Sequence, residues 1–140
     1  MKNEHSIAAI IFNENKFLLL KYGLGHWGFV KGHKEKGETN KETILRELKE
    51  ETGISNAEII DNFRKNYEYY FRFRGDLIHK VVDCYLIHSE TQNVKLSFEH
   101  VGYKWLSIDD AIKQATYDNA KKILKKTKKF LKLMNLIKNK

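Results

Sequence analysis

At 140 residues, with 41% hydrophobic and 31% charged side chains, the chain is expected to form one core, a single domain over residues 1–140, of ordinary globular composition. No run of about 18 apolar residues is present to cross a bilayer, and the run Ile7 to Phe12 is too short for a secretory leader. The net charge of +8 points to anionic partners, while one cysteine, Cys84, excludes an intramolecular disulfide and fits a reducing cytoplasm.

In chain order, His5 to Phe12 reads as a strand and Lys16 to Tyr22 as its partner, with Asn13-Glu14-Asn15 as a tight turn. Gly23 to Gly37 contains five of the eight glycines and reads as an extended loop. Thr39 to Thr52 is the clearest helix: Thr39 and Glu42 make a capping box, and Gly53 stands where a helix end wants positive φ. Phe63 to Arg74 and Ile78 to His88 read as strands paired around Gly75-Asp76, followed by a strand over Tyr103 to Leu106. Asp109 to Ala115 and Asn119 to Leu136 read as helices. The last carries Lys121, Lys122, Lys125, Lys126, Lys128, Lys129 and Lys132 beside Ile123, Leu124, Phe130 and Leu131, an amphipathic pattern whose lysine face is either solvated or a polyanion surface. Strands, a helix, more strands and then helices predict an α/β fold with a mixed sheet covered on both faces.

The helix over Thr39–Thr52 carries an unusual charge pattern. Glu47, Glu50 and Glu51 lie at i, i+3 and i+4 on a stripe about 100° wide, with Ile44, Leu45 and Leu48 on a separate apolar stripe. The like charges at Glu47 and Glu51 destabilise a helix by about a few tenths of a kcal/mol. Arg46 can offset Glu50, but no lysine or arginine lies three or four residues from Glu47 or Glu51. A hard divalent cation relieves such repulsion, and Mg²⁺ retains waters that phosphate can replace. An E-x-x-E-E on its own is otherwise a solvated acidic face.

The surrounding residues decide between these readings. From Gly32 the chain reads G-x5-E-x7-R-E-L-x-E-E-x-G-I, through Glu38, Arg46, Glu47, Leu48, Glu50, Glu51, Gly53 and Ile54. Seven fixed residues in register arise by chance on the order of once per 10⁸ to 10⁹ registers. The pattern, over residues 32–54, resembles the Nudix box without a departure. The resemblance implies the Nudix fold, an α/β/α sandwich, and a metal-dependent pyrophosphohydrolase. It further implies Glu50 and Glu51 as metal ligands, Glu47 as ligand or general base, and the Gly32 carbonyl as a ligand. Arg46 would orient the carboxylates, and Glu38 would brace the loop. Mg²⁺ is the implied cofactor, with Mn²⁺ as a substitute.

The flanks carry a second, less specific resemblance. His26-Trp27 before Lys31-Gly32-His33, then Phe63-Arg64, Tyr69, Lys80 and Leu96-Ser97-Phe98-Glu99-His100 before Tyr103-Lys104-Trp105-Leu106, are similar in order and spacing to the asymmetrical diadenosine tetraphosphate hydrolases. That likeness implies adenine held between Tyr69 and Tyr117, phosphates met by His26, Lys31 and Lys80, and Glu99 as a further carboxylate acting on metal or water. Two positions depart: Val30 replaces a usual proline, and Cys84 replaces a tyrosine. Each residue also has an ordinary role open to it: Tyr69 as sheet cover, Trp27 as a core wedge, Lys80 as an edge lysine, Glu99 as a solvated loop acid, Cys84 as inert core. The six histidines lack zinc-site spacing. The expected partner is a dinucleoside polyphosphate, without a membrane, with a monomer as working unit. A 5′-end RNA pyrophosphohydrolase, a nucleoside triphosphate housecleaning enzyme and a catalytically silent binding module stand as alternatives.

Overall fold

The computed structural model describes residues 1–135. Its elements run β1 (Lys2–Asn13), β2 (Lys16–Tyr22), β3 (Trp27–Gly28), β4 (Val30–His33), α1 (Asn40–Thr52), β5 (Ala57–Phe73), β6 (Asp76–Ser89), β7 (His100–Leu106), α2 (Ile108–Gln114) and α3 (Asp118–Leu133). Among the described residues no helix is long and apolar enough to cross a membrane.

The sheet is mixed because β1 runs parallel to β6, with Lys2 opposite Ile78 and Phe12 opposite His88, while its other pairings are antiparallel. Strand order is β3-β2-β1-β6-β5, with β7 on β2 and β4 on β1. Alternation along β1 sends Ala8, Ile10 and Phe12 to one face and Ile7, Ala9 and Ile11 to the other. The first set packs with Ile108, Ala111, Ile123, Leu124 and Leu131 of α2 and α3; the second packs with Ile44 and Leu48 of α1 and with Ile54. Helices on both faces explain why β1 reads as an unbroken apolar run instead of an alternating one. This is the expected α/β/α sandwich.

One topological detail positions the site. A single edge of β1 is divided between two partners: β4 takes Ser6 to Ala9, and β2 takes only Phe12 and Asn13. The two partners therefore part company along that edge, leaving an opening in the sheet beside Gly32 and the end of β2.

Several boundaries differ from the sequence reading. The stretch Gly23–Gly37 is not wholly loop, since it contains β3 and β4. Val30, standing where relatives carry proline, is buried in β4 opposite Ala9, so strand pairing supplies the order that a proline ring would. β5 begins at Ala57, six residues before Phe63, because its register slips between Ile59 and Arg64 and Asn62 takes φ 68. Such a bulge breaks the period-two pattern by which a strand is recognised. The β5–β6 hairpin turns through Arg74 and Gly75, both at positive φ, as a type I′ turn requires.

In α1 the Thr39–Glu42 capping box and the left-handed Gly53 are both present. Leu45, expected on the apolar stripe, is instead 40% exposed. The buried line is Ile44, Leu48, Glu51 and Thr52, at helical spacing i, i+4, i+7 and i+8. In α3, Ala120, Ile123, Leu124, Thr127 and Leu131 face the core, while Lys122, Lys125, Lys126 and Lys129 are exposed. Lys121 caps α2 by donating to the carbonyls of Ile112 and Lys113, at 2.7 and 2.9 Å, and Lys128 pairs with Asp109 at 2.7 Å. The helix end expected at Leu136 lies outside the described residues.

Candidate active site

The glutamates of α1 do not form one exposed stripe. They grade inward, from Glu50 with a side chain 57% exposed, through Glu47 at 15%, to the buried Glu51. Arg46 gathers the outer two. Its guanidinium donates to Glu47 at 2.9 Å and Glu50 at 3.1 Å, and to Glu38 at 2.6 and 3.1 Å. A further bond to the His33 carbonyl, at 3.1 Å, ties the end of β4 to the helix. Glu38 also accepts from Glu35 N–H and Thr43 Oγ, so it joins the loop to the first turn of α1. The Arg46 bond, aided by these donors, holds the Glu38 carboxyl down at about 2. Gly32 faces this cluster from β4. A Cβ placed on Gly32 would stand 2.1 Å from Glu47 Cδ, so only glycine lets that carboxylate lie against the strand.

Glu51 points inward. Neither of its oxygens has an aligned hydrogen-bond partner among the described residues. Burial, then the neighbouring Glu47, then the charge of Glu99, push its carboxyl well above the usual range. Its nearest neighbour of opposite tendency is His100, whose Nε2 lies 3.2 Å from Oε1 and whose side chain is wholly buried. Tyr22 packs edge-on against His100 at 4.6 Å and donates its hydroxyl to the Phe29 carbonyl. Burial, reinforced by nearby carboxylates, pushes the Tyr22 phenol far up, so it stays neutral. Tyr22 and His100 were not among the candidate residues read from the sequence. Their signal was weak: one ends an apolar strand and the other begins one, and both look like ordinary core.

Glu99, predicted as an extra carboxylate, stands exposed in the turn immediately before His100. Its charge helps to raise the pKa of Glu51 and of Tyr22, after burial and other neighbouring groups.

A cleft of about 750 Å³ is lined by residues that include Tyr22, His26, Trp27, Lys31, Tyr69 and Tyr117, and Tyr22 joins it to His100 and Glu51. Tyr69 and Tyr117, distant in sequence, thus share one cleft. Tyr69 is half-buried in a row with Tyr67 and Phe71, whereas Tyr117 is 59% exposed at the N-cap of α3. His26 stacks on Tyr22 at 4.4 Å and lies 5.4 Å from Tyr117. Trp27 packs on the core, as a wedge would, and also lines the cleft. Lys80 is not an edge lysine: β6 lies between β1 and β5, and Lys80 is only 8% exposed, 3.5 Å from Glu4. Burial and the charge of Lys80 lower the Lys31 ammonium below its ordinary value. Two partly desolvated cations near each other and beside an aromatic cleft favour an anionic guest. Cys84 is buried in the core and its thiol is pushed up to about 12, chiefly by burial, which makes it inert.

The residues present fit a hard divalent cation. Glu47, Glu50, Glu51 and the Gly32 carbonyl offer oxygen donors only, and Glu51 is a buried carboxylate without an aligned partner. Among the described residues no three His, Cys, Asp or Glu side chains already converge as a closed ligand set. Arg46 pairs with Glu47 and Glu50, while Glu51 faces His100.

A mixed sheet between helices, with this glutamate-rich loop and helix at its opening, defines a family: the chain matches the NUDIX domain over residues 2–127 and belongs to it. Members of this family generally use divalent metals. Among its relatives, the asymmetrical bis(5′-nucleosyl)-tetraphosphatase of Mus musculus is 38% identical over 133 residues, spanning 91% of this chain and 88% of the mouse protein. The Caenorhabditis elegans protein of the same name is 33% identical over 119 residues, spanning 83% and 85%. A crystal structure of a C. elegans Ap4A hydrolase binary complex is similar with a TM-score of 0.80 at 29% identity, covering 92% of this chain and 98% of that one.

Proposed function

We propose that this chain hydrolyses dinucleoside polyphosphates, cutting diadenosine tetraphosphate off-centre into ATP and AMP with Mg²⁺ as cofactor and Mn²⁺ able to replace it. The observation that carries the reading is an aromatic cleft holding Tyr69, Tyr117 and Lys31, whose wall residue Tyr22 packs on His100, the partner of Glu51. In this reading an adenine enters between the two tyrosines, since an aromatic face contributes about 1–3 kcal/mol per stacked base. Lys31, Lys80 and His26 draw the phosphate chain toward α1. Glu47, steadied by Arg46, accepts a proton from the attacking water, and Glu99 is a further carboxylate acting on metal or water. Glu50, Glu51, Glu47 and the Gly32 carbonyl would hold a divalent ion, which when bound would supply charge neutralisation for the phosphate oxygens. Glu38 keeps the loop and helix in fixed relation. A nucleotide substrate and a buried, reduced cysteine suit a cytoplasmic monomer.

The off-centre cut follows the asymmetrical relatives, and a base clamp on different elements from the carboxylates gives it a physical basis. Clamp and carboxylates form a ruler that counts phosphates from one end. Hydrolysis of diadenosine tetraphosphate in ¹⁸O-labelled water tests it: equimolar ATP and AMP, with label in one product, is expected, and ADP as the sole product overturns it.

The exposed Lys122, Lys125, Lys126 and Lys129 of α3 favour one second reading, a 5′-triphosphorylated RNA whose chain runs over that helix. Comparing kcat/KM for diadenosine tetraphosphate, triphosphorylated RNA and nucleoside triphosphates at one Mg²⁺ concentration ranks these substrates. The RNA reading requires the RNA to lead and its advantage to shrink with added salt.

A further inference from the structure

The segment between β6 and β7 is fastened to the C-terminal end of α1. Lys95 N–H donates to the Thr52 carbonyl at 2.8 Å, and Ser97 N–H to the Glu51 carbonyl at 3.2 Å. His100 N–H then donates back to the Ser97 carbonyl at 3.2 Å, closing a short turn that contains Glu99. Inside that turn the His100 ring is wholly buried, with Nδ1 3.3 Å from Ser97 Oγ and Nε2 3.2 Å from Glu51 Oε1. A serine hydroxyl donating to Nδ1 leaves the ring proton on Nε2, the nitrogen that faces the carboxylate. The Nε2–Oε1 contact is within reach of a hydrogen bond but not aligned as one. Bonds of this kind in catalytic sites commonly tighten only when the site fills.

Two observations set this arrangement apart from core filling. Among the described residues His100 is the one basic side chain paired with Glu51, and Glu51 is the one box carboxylate that Arg46 does not reach. Glu99 also adjoins His100 in sequence, so whatever anchors the imidazole fixes where Glu99 stands. We propose that His100, oriented by Ser97, is a positioning residue: it holds the Glu51 carboxylate toward the metal centre and ties the Glu99 turn to α1. This rests on the hydrolase reading above.

A space-filling ring needs only its shape, whereas a positioning ring needs its N–H. His100→Phe keeps a ring against Tyr22 and removes the donor; His100→Gln retains a donor near the Nε2 position; Ser97→Ala removes the orienting hydroxyl. Each variant and the wild type are titrated with Mn²⁺ while thermal stability is followed, and kcat and KM are then measured on diadenosine tetraphosphate. The expected result is a Mn²⁺ midpoint raised about tenfold or more in His100→Phe, the size typical of lost ligand support. kcat should fall while KM stays within about twofold, since a stacked base held by the cleft is untouched. His100→Gln should restore most of the Mn²⁺ midpoint, and Ser97→Ala should shift it in the same direction as His100→Phe by less. If His100→Phe fails to fold, His100→Gln and Ser97→Ala decide: a normal Mn²⁺ midpoint in Ser97→Ala overturns the proposal. An unshifted midpoint in His100→Phe also overturns it, as does a His100→Gln no better than Phe. A wild type that gains no stability from Mn²⁺ overturns this proposal and the hydrolase reading together, whereas a responsive wild type with indifferent variants overturns the positioning role alone.

Discussion

Glu47 and Glu51 are both glutamates of one helix, four residues apart, yet their surroundings assign them different work. Glu47 lies over Gly32 with Arg46 donating to its carboxylate, the setting in which we propose it as the base. Glu47→Gln keeps the shape and the Arg46 contact but removes the basic oxygen. It should lower kcat by about 10²–10⁴-fold with an unchanged melting temperature, measured by steady-state kinetics and calorimetry. Near-normal turnover would move the base role to Glu99. At the cleft, Tyr117→Ala should raise KM for the dinucleotide by about 5- to 150-fold, the equivalent of a lost stack, without a stability cost, because the side chain is 59% exposed. Tyr69→Ala should raise KM similarly and also melt earlier, since Tyr69 stacks with Tyr67 and Phe71. Phenylalanine at either position should bind almost as well as tyrosine.

At the scale of the element, α1 is held by its ends and by its loop. The capping box satisfies the first turn, Gly53 closes the last, and Arg46 with Glu38 joins the helix to the segment from β4. The Glu38 carboxyl is held down at about 2 by Arg46, and the sign of the linkage follows from that. A carboxylate whose folded value lies below its unfolded one, about 4.3, stabilises the fold fully above the unfolded value and loses that contribution as pH falls through the folded one. Wild type should therefore be more resistant to urea than Glu38→Gln at neutral pH. Between about pH 4.5 and pH 2 the two urea midpoints should converge. A gap that persists unchanged at pH 2 would mean that shape, not charge, makes the brace.

Across the whole molecule, the fold keeps an acidic centre at an opening in the sheet, at some cost to its own stability. A buried carboxylate without an aligned partner is unfavourable, and a cation that binds only the folded site recovers the loss by mass action. Chelation should abolish hydrolysis, Mg²⁺ or Mn²⁺ should restore it, and the melting temperature of the chelated protein should rise on adding either ion. Glu51→Gln should melt at least as high as wild type without metal and respond much less to it, because the variant keeps the shape of the buried acid but removes an ionisable ligand. Thermal scans at several Mg²⁺ concentrations would check both. A Glu51→Gln protein that responds to Mg²⁺ like wild type would take Glu51 out of the ligand set.

What was legible in the chain was what is written locally or at fixed spacing. The capping box, the Gly53 terminus, the apolar run of β1 and the pattern from Gly32 to Ile54 each depend on residues near one another in sequence or at fixed spacing. They led to the α/β/α sandwich and to the carboxylate-rich helix. Even the long-range likeness around Tyr69, Tyr117 and Lys80 was readable as order and spacing, though not as proximity. Tertiary structure alone decided the rest. Leu45 turned outward and Glu51 inward because the helix rotates to meet the sheet, a matter of which face packs and not of composition. Lys80 proved central because strand order places β6 between β1 and β5, something no single strand's sequence records. Tyr22 and His100 joined the site because β2 and β7 pair, with Tyr22 opposite His100 across a register shift. Their distance of 78 positions along the chain is invisible to periodicity, and it is closed only by the sheet.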